Sequence, residues 1–158
     1  MTGWRIGYCT GPKELIGAMT KLQGQSTSNP SSIAQWAAVE ALDGPQEFLA
    51  GWRAKFQERR NLVVKGLNAN TGLQCLTPEG AFYVFPSVTK LLGRTSKSGA
   101  KLATDEDFVM ALLEETGVAL VHGTAFGSPG AMRLSYAASN RELEDAVTRI
   151  QDFCAGLK

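Results

Sequence analysis

The segment that decides the fold is Met132–Tyr136 (MRLSY), which leads at once into a helical pattern. Its apolar residues alternate with Arg133 and Ser135, the period of a strand with one buried face. Ser139 and Glu142 then match a capping box, and apolar residues follow at helical spacing to the C terminus: Leu143, Ala146, Val147, Ile150, Phe153, Cys154 and Leu157. The segment therefore predicts a strand followed by an amphipathic helix.

The sequence before this segment alternates between strand and helix patterns. Residues 73–76 and 81–85 are strand-like, and residues 93–103, rich in Gly, Ser and Lys, predict a mobile surface loop. A capped helix follows and ends at Gly117, after which Val118–Val121 predict a short apolar strand. The second half of the chain therefore predicts an α/β fold, in the form of a small α+β layer with helices on one face of the sheet.

The first part of the chain gives a strand-helix-helix pattern. Trp4–Tyr8 alternate as a buried strand would, with Arg5 on the polar side. Pro12 opens a helix, and a polar loop over residues 24–32 leads to a second one. One strand and two helices cannot bury their apolar faces without further elements. We therefore expect this part to belong to a domain that it does not complete.

A break in the pattern at Asp43-Gly44-Pro45 separates the two parts. The longest helical pattern of the chain follows it, over about residues 46–69. The sequence therefore predicts a boundary between residues 1–43 and residues 44–158, with the long helix at the start of the second part.

Composition excludes several classes of protein. The 158 residues are 44% apolar and 20% charged, the balance of a globular protein. A formal net charge of +1 gives no reason to expect a nucleic acid or an anionic membrane as partner, and no apolar run is long enough to span a bilayer. The three cysteines are scattered and odd in number, so they predict no disulfide framework and favour the cytoplasm.

Two arginines interrupt apolar strand patterns, Arg5 and Arg133. A guanidinium keeps its charge, so it needs a partner when buried, and its planar fork suits phosphate or carboxylate. The alternative, favoured by composition alone, is an internal ion pair with one of the 15 acidic residues. His122, the single histidine, is interpreted as structural, and it predicts no metal site with the scattered cysteines. The loop Gly123–Gly130 suits either an anion or a tight connection between strands.

Short motifs stand in order along nearly the whole chain: MTGWRIGYCTGP at 1–12, QSTSNPSS at 25–32, PEGAFY at 78–83, GTAFG at 123–127 and MRLSYA at 132–137. Together they resemble the C-terminal part of class I (fold-type I) pyridoxal-phosphate-dependent aminotransferases of the aspartate aminotransferase kind. One such motif alone would be weak, whereas the ordered set is specific. The resemblance implies that residues 1–43 are the tail of the large cofactor-binding domain and residues 44–158 the small domain.

The resemblance also implies roles for individual residues. It matches Arg5 to the arginine that binds the phosphate of pyridoxal 5'-phosphate. It matches Arg133 to the arginine that pairs with the α-carboxylate of the amino acid. Ser28 and Asn29 match a loop that, in these homodimers, lies near the active site of the neighbouring subunit.

The Schiff-base lysine of the family has no counterpart in this chain. In the family it lies a few residues before the position matched by Met1, which is therefore expected to be an internal methionine. The reaction needs this lysine, because it forms the covalent Schiff base with the cofactor. The resemblance thus implies no catalytic residue within residues 1–158, and a fragment that is inactive by itself.

The intact protein is expected to transfer amino groups between an L-amino acid, aspartate or glutamate, and a 2-oxo acid. One subgroup of the family binds the distal carboxylate with an arginine just before its Ser-Asn-Pro loop, where this chain has Gln23-Gly24-Gln25. Aspartate therefore rests on the overall resemblance. The alternatives are an effector domain of a transcription regulator, a purely dimerising module, and a class I relative with aromatic or branched substrates.

Overall fold

Three short strands form an antiparallel sheet in the second half of the chain. In the computed structural model, which describes residues 1–69 and 71–158, they are Tyr83–Val84 (β1), Val121–His122 (β2) and Met132–Ser135 (β3). The order β1-β3-β2 makes β3 the central strand. The alternation predicted for it is confirmed, because Met132 and Leu134 are buried. The α/β architecture predicted for this half is confirmed as well.

Five α-helices lie in the described residues: Lys13–Ser26 (α1), Ser32–Asp43 (α2), Phe48–Asn68 (α3), Asp105–Thr116 (α4) and Asn140–Ala155 (α5). The long helix predicted at about residues 46–69 is α3. The predicted capping box of Ser139 and Glu142 forms at the start of α5, and Thr104 with Asp107 forms another at the start of α4. A capping box that the pattern Ser32–Gln35 suggests for α2 does not form, because no side chain caps that helix. None of these helices is long and apolar enough to cross a membrane.

The chain divides into two units, Met1–Leu49 and Ala50–Lys158. The second unit contains the hydrophobic core, where α4 packs against α5 and β2. The rings of Phe108 and Phe153 meet edge to face there, with centroids 5.4 Å apart. One face of the sheet, the apolar sides of the helices and apolar residues of the connecting segments form the core: Val63, Leu67, Leu73, Cys75, Val84, Val88, Leu91, Leu102, Phe108, Val109, Ala111, Leu112, Val118, Met132, Leu134, Tyr136, Leu143, Val147, Ile150, Phe153, Cys154 and Leu157.

The first unit has almost no core of its own. Ala34 is the one buried residue among residues 1–49, all of which are described, and α1 buries no residue. Large apolar side chains such as Leu22 and Trp36 are more than 70% exposed. As the sequence predicted, the residues of this unit therefore do not bury one another's apolar side chains.

Two of the predicted strands are wrong, and the strand predicted at Val118–Val121 is shifted, because β2 is Val121–His122. Residues 1–12 contain a turn and otherwise no regular structure, so Trp4–Tyr8 do not form a strand and Arg5 does not lie within one. Residues 73–76 form only a single bridge, from Gln74 to Ser87. A strand exists only where a neighbouring strand supplies the hydrogen-bond ladder, and the first unit contains no strand that could pair with Trp4–Tyr8. Alternation of side chains cannot supply that neighbour.

The predicted surface loop at residues 93–103 is held in place by backbone hydrogen bonds. Gly93 N–H donates to the Leu102 carbonyl oxygen at 2.8 Å, and Thr95 exchanges two bonds of 2.9 Å with Lys158. Leu102 is fully buried. The loop therefore contributes to the core of the second unit and anchors the C-terminal residue.

Gly123 begins the short 3₁₀ turn Gly123–Phe126 that follows β2. We expect Gly123→Ala to lower the free energy of unfolding by about 1–3 kcal/mol, the usual cost of overpacking. A Cβ at this position would lie 2.2 Å from the carbonyl oxygen of Ser128 and 2.8 Å from that of Ala131. Urea unfolding followed by circular dichroism measures the change.

The control is Gly80→Ala, because nothing lies within 4 Å of a Cβ built at that residue. It should move the unfolding midpoint little. Equal shifts for the two variants would contradict the steric argument.

Candidate functional site

Arg133 lies in the middle of β3, on the face of the sheet that points away from the core. Its neighbours in the strand, Met132 and Leu134, are buried, and successive side chains of a strand point to opposite faces. Arg133 is itself half-buried and stands opposite Val121 of β2. Because the core fixes the strand from the other side, the position of the arginine backbone is well defined.

Two aromatic rings flank the Arg133 guanidinium. Its central carbon, Cζ, lies 4.6 Å from the ring centroid of Tyr83 and 4.3 Å from that of Phe126. These distances are in the range of cation–π attraction. Phe85 supports Phe126 in turn, with the ring centroids 6.0 Å apart in an edge-to-face arrangement. We call Tyr83 and Phe126 the aromatic pair of Arg133.

No acidic side chain among residues 1–69 and 71–158 lies within 4.0 Å of the Arg133 guanidinium. The internal ion pair that composition favoured is thus not formed there, and the same holds for Arg5. The N–H donors of Arg133 make no hydrogen bond within the described chain. A half-buried fork with this geometry is suited to a planar anion.

The turn that carries Phe126 is anchored by a buried carboxylate, Asp105. Asp105 is the first residue of α4 and only 3% exposed. Its oxygens accept hydrogen bonds from Thr124 N–H at 2.7 Å and from the Thr124 hydroxyl at 2.9 Å. Burial acts to raise the pKa of Asp105, but the bonds from Thr124 and from the Gly130 backbone outweigh it and leave that pKa below its ordinary value.

His122 contributes no recognisable chemistry. Its Nδ1 atom is buried without a hydrogen-bond partner and lies 4.0 Å from an Asp105 carboxylate oxygen. No group of three or more His, Cys, Asp or Glu side chains in the described part of the chain is arranged to hold a metal ion. The three cysteines are free thiols, and burial raises the pKa of Cys75 to about 11 and that of Cys154 to about 12.

Arg5 is exposed and lies in the irregular segment at the start of the first unit. Its backbone has φ of +49°, in the left-handed region that non-glycine residues rarely adopt. It is the only arginine of residues 1–49 and has no described acidic partner. Its five donors are therefore available to an anion such as a phosphate, which fits the expected role in charge and accessibility.

Ser28 and Asn29 lie in the connection between α1 and α2, and both are exposed. Ser28 also has a left-handed backbone, with φ of +65°, and its N–H donates to the Gln23 carbonyl oxygen at 2.9 Å. Strained backbone of this kind is concentrated at functional sites. Within the described residues no hydrogen bond joins Ser28 or Asn29 to Arg5.

Sequence reasoning missed the aromatic pair and the Asp105 anchor. Tyr83 and Phe126 were present in the PEGAFY and GTAFG motifs, but nothing in their spacing showed that both rings reach Arg133. Asp105 has the sequence signature of an ordinary acidic residue in the first turn of a helix. Its contact with Thr124 is visible only once α4 and the loop are placed together.

Comparison with known proteins gives the family. The family model described as "Aminotransferase class I and II" matches residues 1–150. The aspartate/prephenate aminotransferase of Cereibacter sphaeroides is 60% identical over 157 residues, which cover 99% of this chain and 39% of that protein. The chain thus belongs to the class I and II aminotransferase family, and it spans about two-fifths of the length of its relatives.

Solved structures agree with this assignment. The crystal structure of the aspartate aminotransferase from Rhizobium meliloti matches 100% of the chain and 40% of that protein, with a TM-score of 0.88 and 53% identity. The aspartate aminotransferase from Thermus thermophilus with maleate matches 97% of the chain and 38% of that protein, with a TM-score of 0.80 and 40% identity. The predicted resemblance is confirmed.

The Asp105 anchor should make part of the stability depend on pH. Because the pKa of Asp105 is lowered by folding, its stabilising effect is fully present above the pKa of the unfolded chain, near pH 4, and is lost as the pH falls through the folded pKa. Asp105→Asn should therefore lower the free energy of unfolding at pH 7, and this deficit should shrink at pH 3. Urea unfolding at both pH values measures it.

Asp152→Asn provides the control, because Asp152 is an exposed residue of α5. A deficit of Asp105→Asn that stayed constant between pH 7 and pH 3, or that Asp152→Asn matched, would contradict the assigned role of the hydrogen bonds.

Proposed function

We propose that residues 1–158 act as the C-terminal part of a pyridoxal-phosphate-dependent aminotransferase, which transfers an amino group between an L-amino acid and a 2-oxo acid. The observation that carries the proposal is the state of Arg133. It is a half-buried guanidinium on a rigid strand, flanked by two rings and without an acidic partner in the described chain. A guanidinium in this state is suited to bind a carboxylate that comes from outside the chain.

Arg133 would bind the α-carboxylate of the substrate through two parallel N–H···O bonds. The aromatic pair restricts the rotation of the guanidinium, so that its hydrogen-bonding edge is presented in one orientation. Orientation matters because the Cα–H bond of the amino acid has to be aligned with the reacting group. Arginine suits this task better than lysine, whose single ammonium cannot match the two oxygens at once.

Arg5 would bind the phosphate of the cofactor, since it is an exposed guanidinium with no described partner. When bound, pyridoxal phosphate supplies the electron sink that makes the α-proton of an amino acid removable. The chain itself provides binding and orientation. No lysine of the chain lies in a motif that matches the catalytic lysine, so we assign that residue to polypeptide outside residues 1–158.

We assign residues 1–43 to the large domain of such an enzyme and residues 44–158 to its small domain. The near-absence of a core in Met1–Leu49 supports this assignment, because these residues need further polypeptide to cover their apolar side chains. We also propose a homodimer in which the loop of Ser28 and Asn29 lies close to the partner subunit. The three free thiols support the cytoplasm as its compartment.

Aspartate or glutamate is the proposed amino-group donor. The related proteins from Cereibacter sphaeroides and Rhizobium meliloti bear aspartate in their names, which supports this choice. A second proposed acceptor is a 2-oxo acid that carries a six-membered ring, such as the prephenate named for the former relative. The observation in its favour is the exposed aromatic surface of Phe85 and Phe126 beside Arg133.

The first test uses a full-length chimera. It joins the part of the Cereibacter sphaeroides relative that this chain does not match to residues 1–158, with that part placed N-terminal, as the proposal assigns it. With pyridoxal phosphate it should convert aspartate and 2-oxoglutarate, and also aspartate and prephenate, whereas the 158-residue chain with the same cofactor should not. A coupled assay for oxaloacetate measures the rates. Turnover by the 158-residue chain above that of free cofactor would overturn the proposed division of labour.

The second test replaces Arg133 in the chimera. Arg133→Lys should raise the dissociation constant for maleate, an unreactive dicarboxylate, by about 10- to 100-fold, because a bidentate charged contact is lost. Isothermal titration calorimetry measures the constant. Arg141→Lys is the matched control at an exposed position of α5 and should bind maleate as the parent does. Equal affinity of Arg133→Lys and the parent would exclude Arg133 as the carboxylate site.

A further inference from the structure

We propose that Asp105 is a positioning residue for Arg133, acting through Thr124 and Phe126. The inference rests on the proposed function, because carboxylate binding by Arg133 is the property that Asp105 would support. All the residues concerned lie in the second unit. Neither the family assignment nor the carboxylate role of Arg133 requires this link, which follows from the contacts of the α4 N terminus.

The carboxylate of Asp105 takes no part in the capping box of its own helix. The N-terminal backbone of α4 is capped by Thr104 and Asp107, which form a complete capping box. Asp105 instead accepts hydrogen bonds from the backbone N–H and the hydroxyl of Thr124, and from the Gly130 backbone in the connection that follows the turn. A buried carboxylate is costly unless it is fully hydrogen-bonded, and no Lys or Arg side chain in the described chain pairs with it. The pattern indicates that the carboxylate serves the loop rather than the helix.

Thr124 lies inside the 3₁₀ turn Gly123–Phe126, two residues before Phe126. Backbone bonds close the turn, from Gly123 N–H to Ala131 O and from Ser128 N–H to Gly123 O. Among the described residues, Asp105 provides the only side-chain hydrogen bonds to residues 123–127. The backbone bonds therefore set the shape of the turn, and Asp105 sets its position on α4.

The position of the turn matters because Phe126 is 47% exposed and is supported by the edge of one ring, Phe85. Its ring nevertheless lies 4.3 Å from Arg133 Cζ. Tyr83, the other member of the aromatic pair, is fixed by its strand. A shift of the turn would thus withdraw one ring from Arg133 and leave the guanidinium free to rotate, which lowers affinity for a planar anion.

The test measures maleate binding to the chimera described above, loaded with pyridoxal phosphate. Thr124→Val removes the hydroxyl that donates to Asp105 and keeps the shape of the side chain. Phe126→Leu removes the ring. Each is expected to raise the dissociation constant roughly threefold to tenfold, the range of a lost cation–π contact. The double variant should bind maleate no less tightly than the single variant that binds it less tightly, since both changes act through the same contact.

Two controls separate positioning from a general loss of structure. Thr124→Ser keeps the hydroxyl and should restore binding to within about twofold of the parent. Thr116→Val removes another partly buried threonine hydroxyl, which donates to Leu112 O, and should leave maleate binding unchanged. Additive effects of Thr124→Val and Phe126→Leu, or equal binding by Thr124→Val and Thr116→Val, would overturn the inference.

The outcome for Arg133→Lys keeps the two proposals distinct. If that variant loses maleate while Thr124→Val does not, Arg133 binds the carboxylate and only the positioning role of Asp105 fails. If Arg133→Lys binds maleate as the parent does, the proposed function itself fails.

Discussion

The arrangement of the second unit depends on one constraint, the positive charge of Arg133. No acidic side chain of the described chain neutralises this charge. Arginine does not give up its proton, so the protein has to stabilise the charge of Arg133 by other means. Two aromatic rings contribute to stabilising this charge, because the faces of Tyr83 and Phe126 carry the partial negative charge of their π electrons. The N–H edge remains open to water or to an anion. The arrangement stabilises the cation and still leaves its strongest hydrogen-bond donors for a ligand.

The remaining elements of the unit hold this arrangement in place. Burial of Met132 and Leu134 fixes β3, and pairing with β1 brings Tyr83 to the same outer face. The helices on the other side supply the core, and α4 also provides the carboxylate that reaches the loop. Core packing and site geometry are therefore linked at the N terminus of α4, where the buried Asp105 carboxylate satisfies its hydrogen bonds by reaching Thr124 of the loop.

Local patterns predicted most of the helices and the central strand, because alternation and capping residues act over a few positions. β3 and the caps of α4 and α5 stand where the sequence placed them. The strand at Trp4–Tyr8 failed for a physical reason, since a strand needs a partner that a local pattern does not reveal. The motifs predicted Arg133 as a ligand-binding residue, but its aromatic pair comes from two distant segments. Contacts between segments, such as Asp105 with Thr124, arise only from the tertiary fold.

The thin interior of residues 1–49 has a consequence for the cooperativity of folding. Large side chains such as Leu15, Leu22 and Trp36 are exposed within this unit. In the longer protein that we propose, the rest of the large domain would cover them, so the order of residues 1–49 would be tied to the folding of that domain.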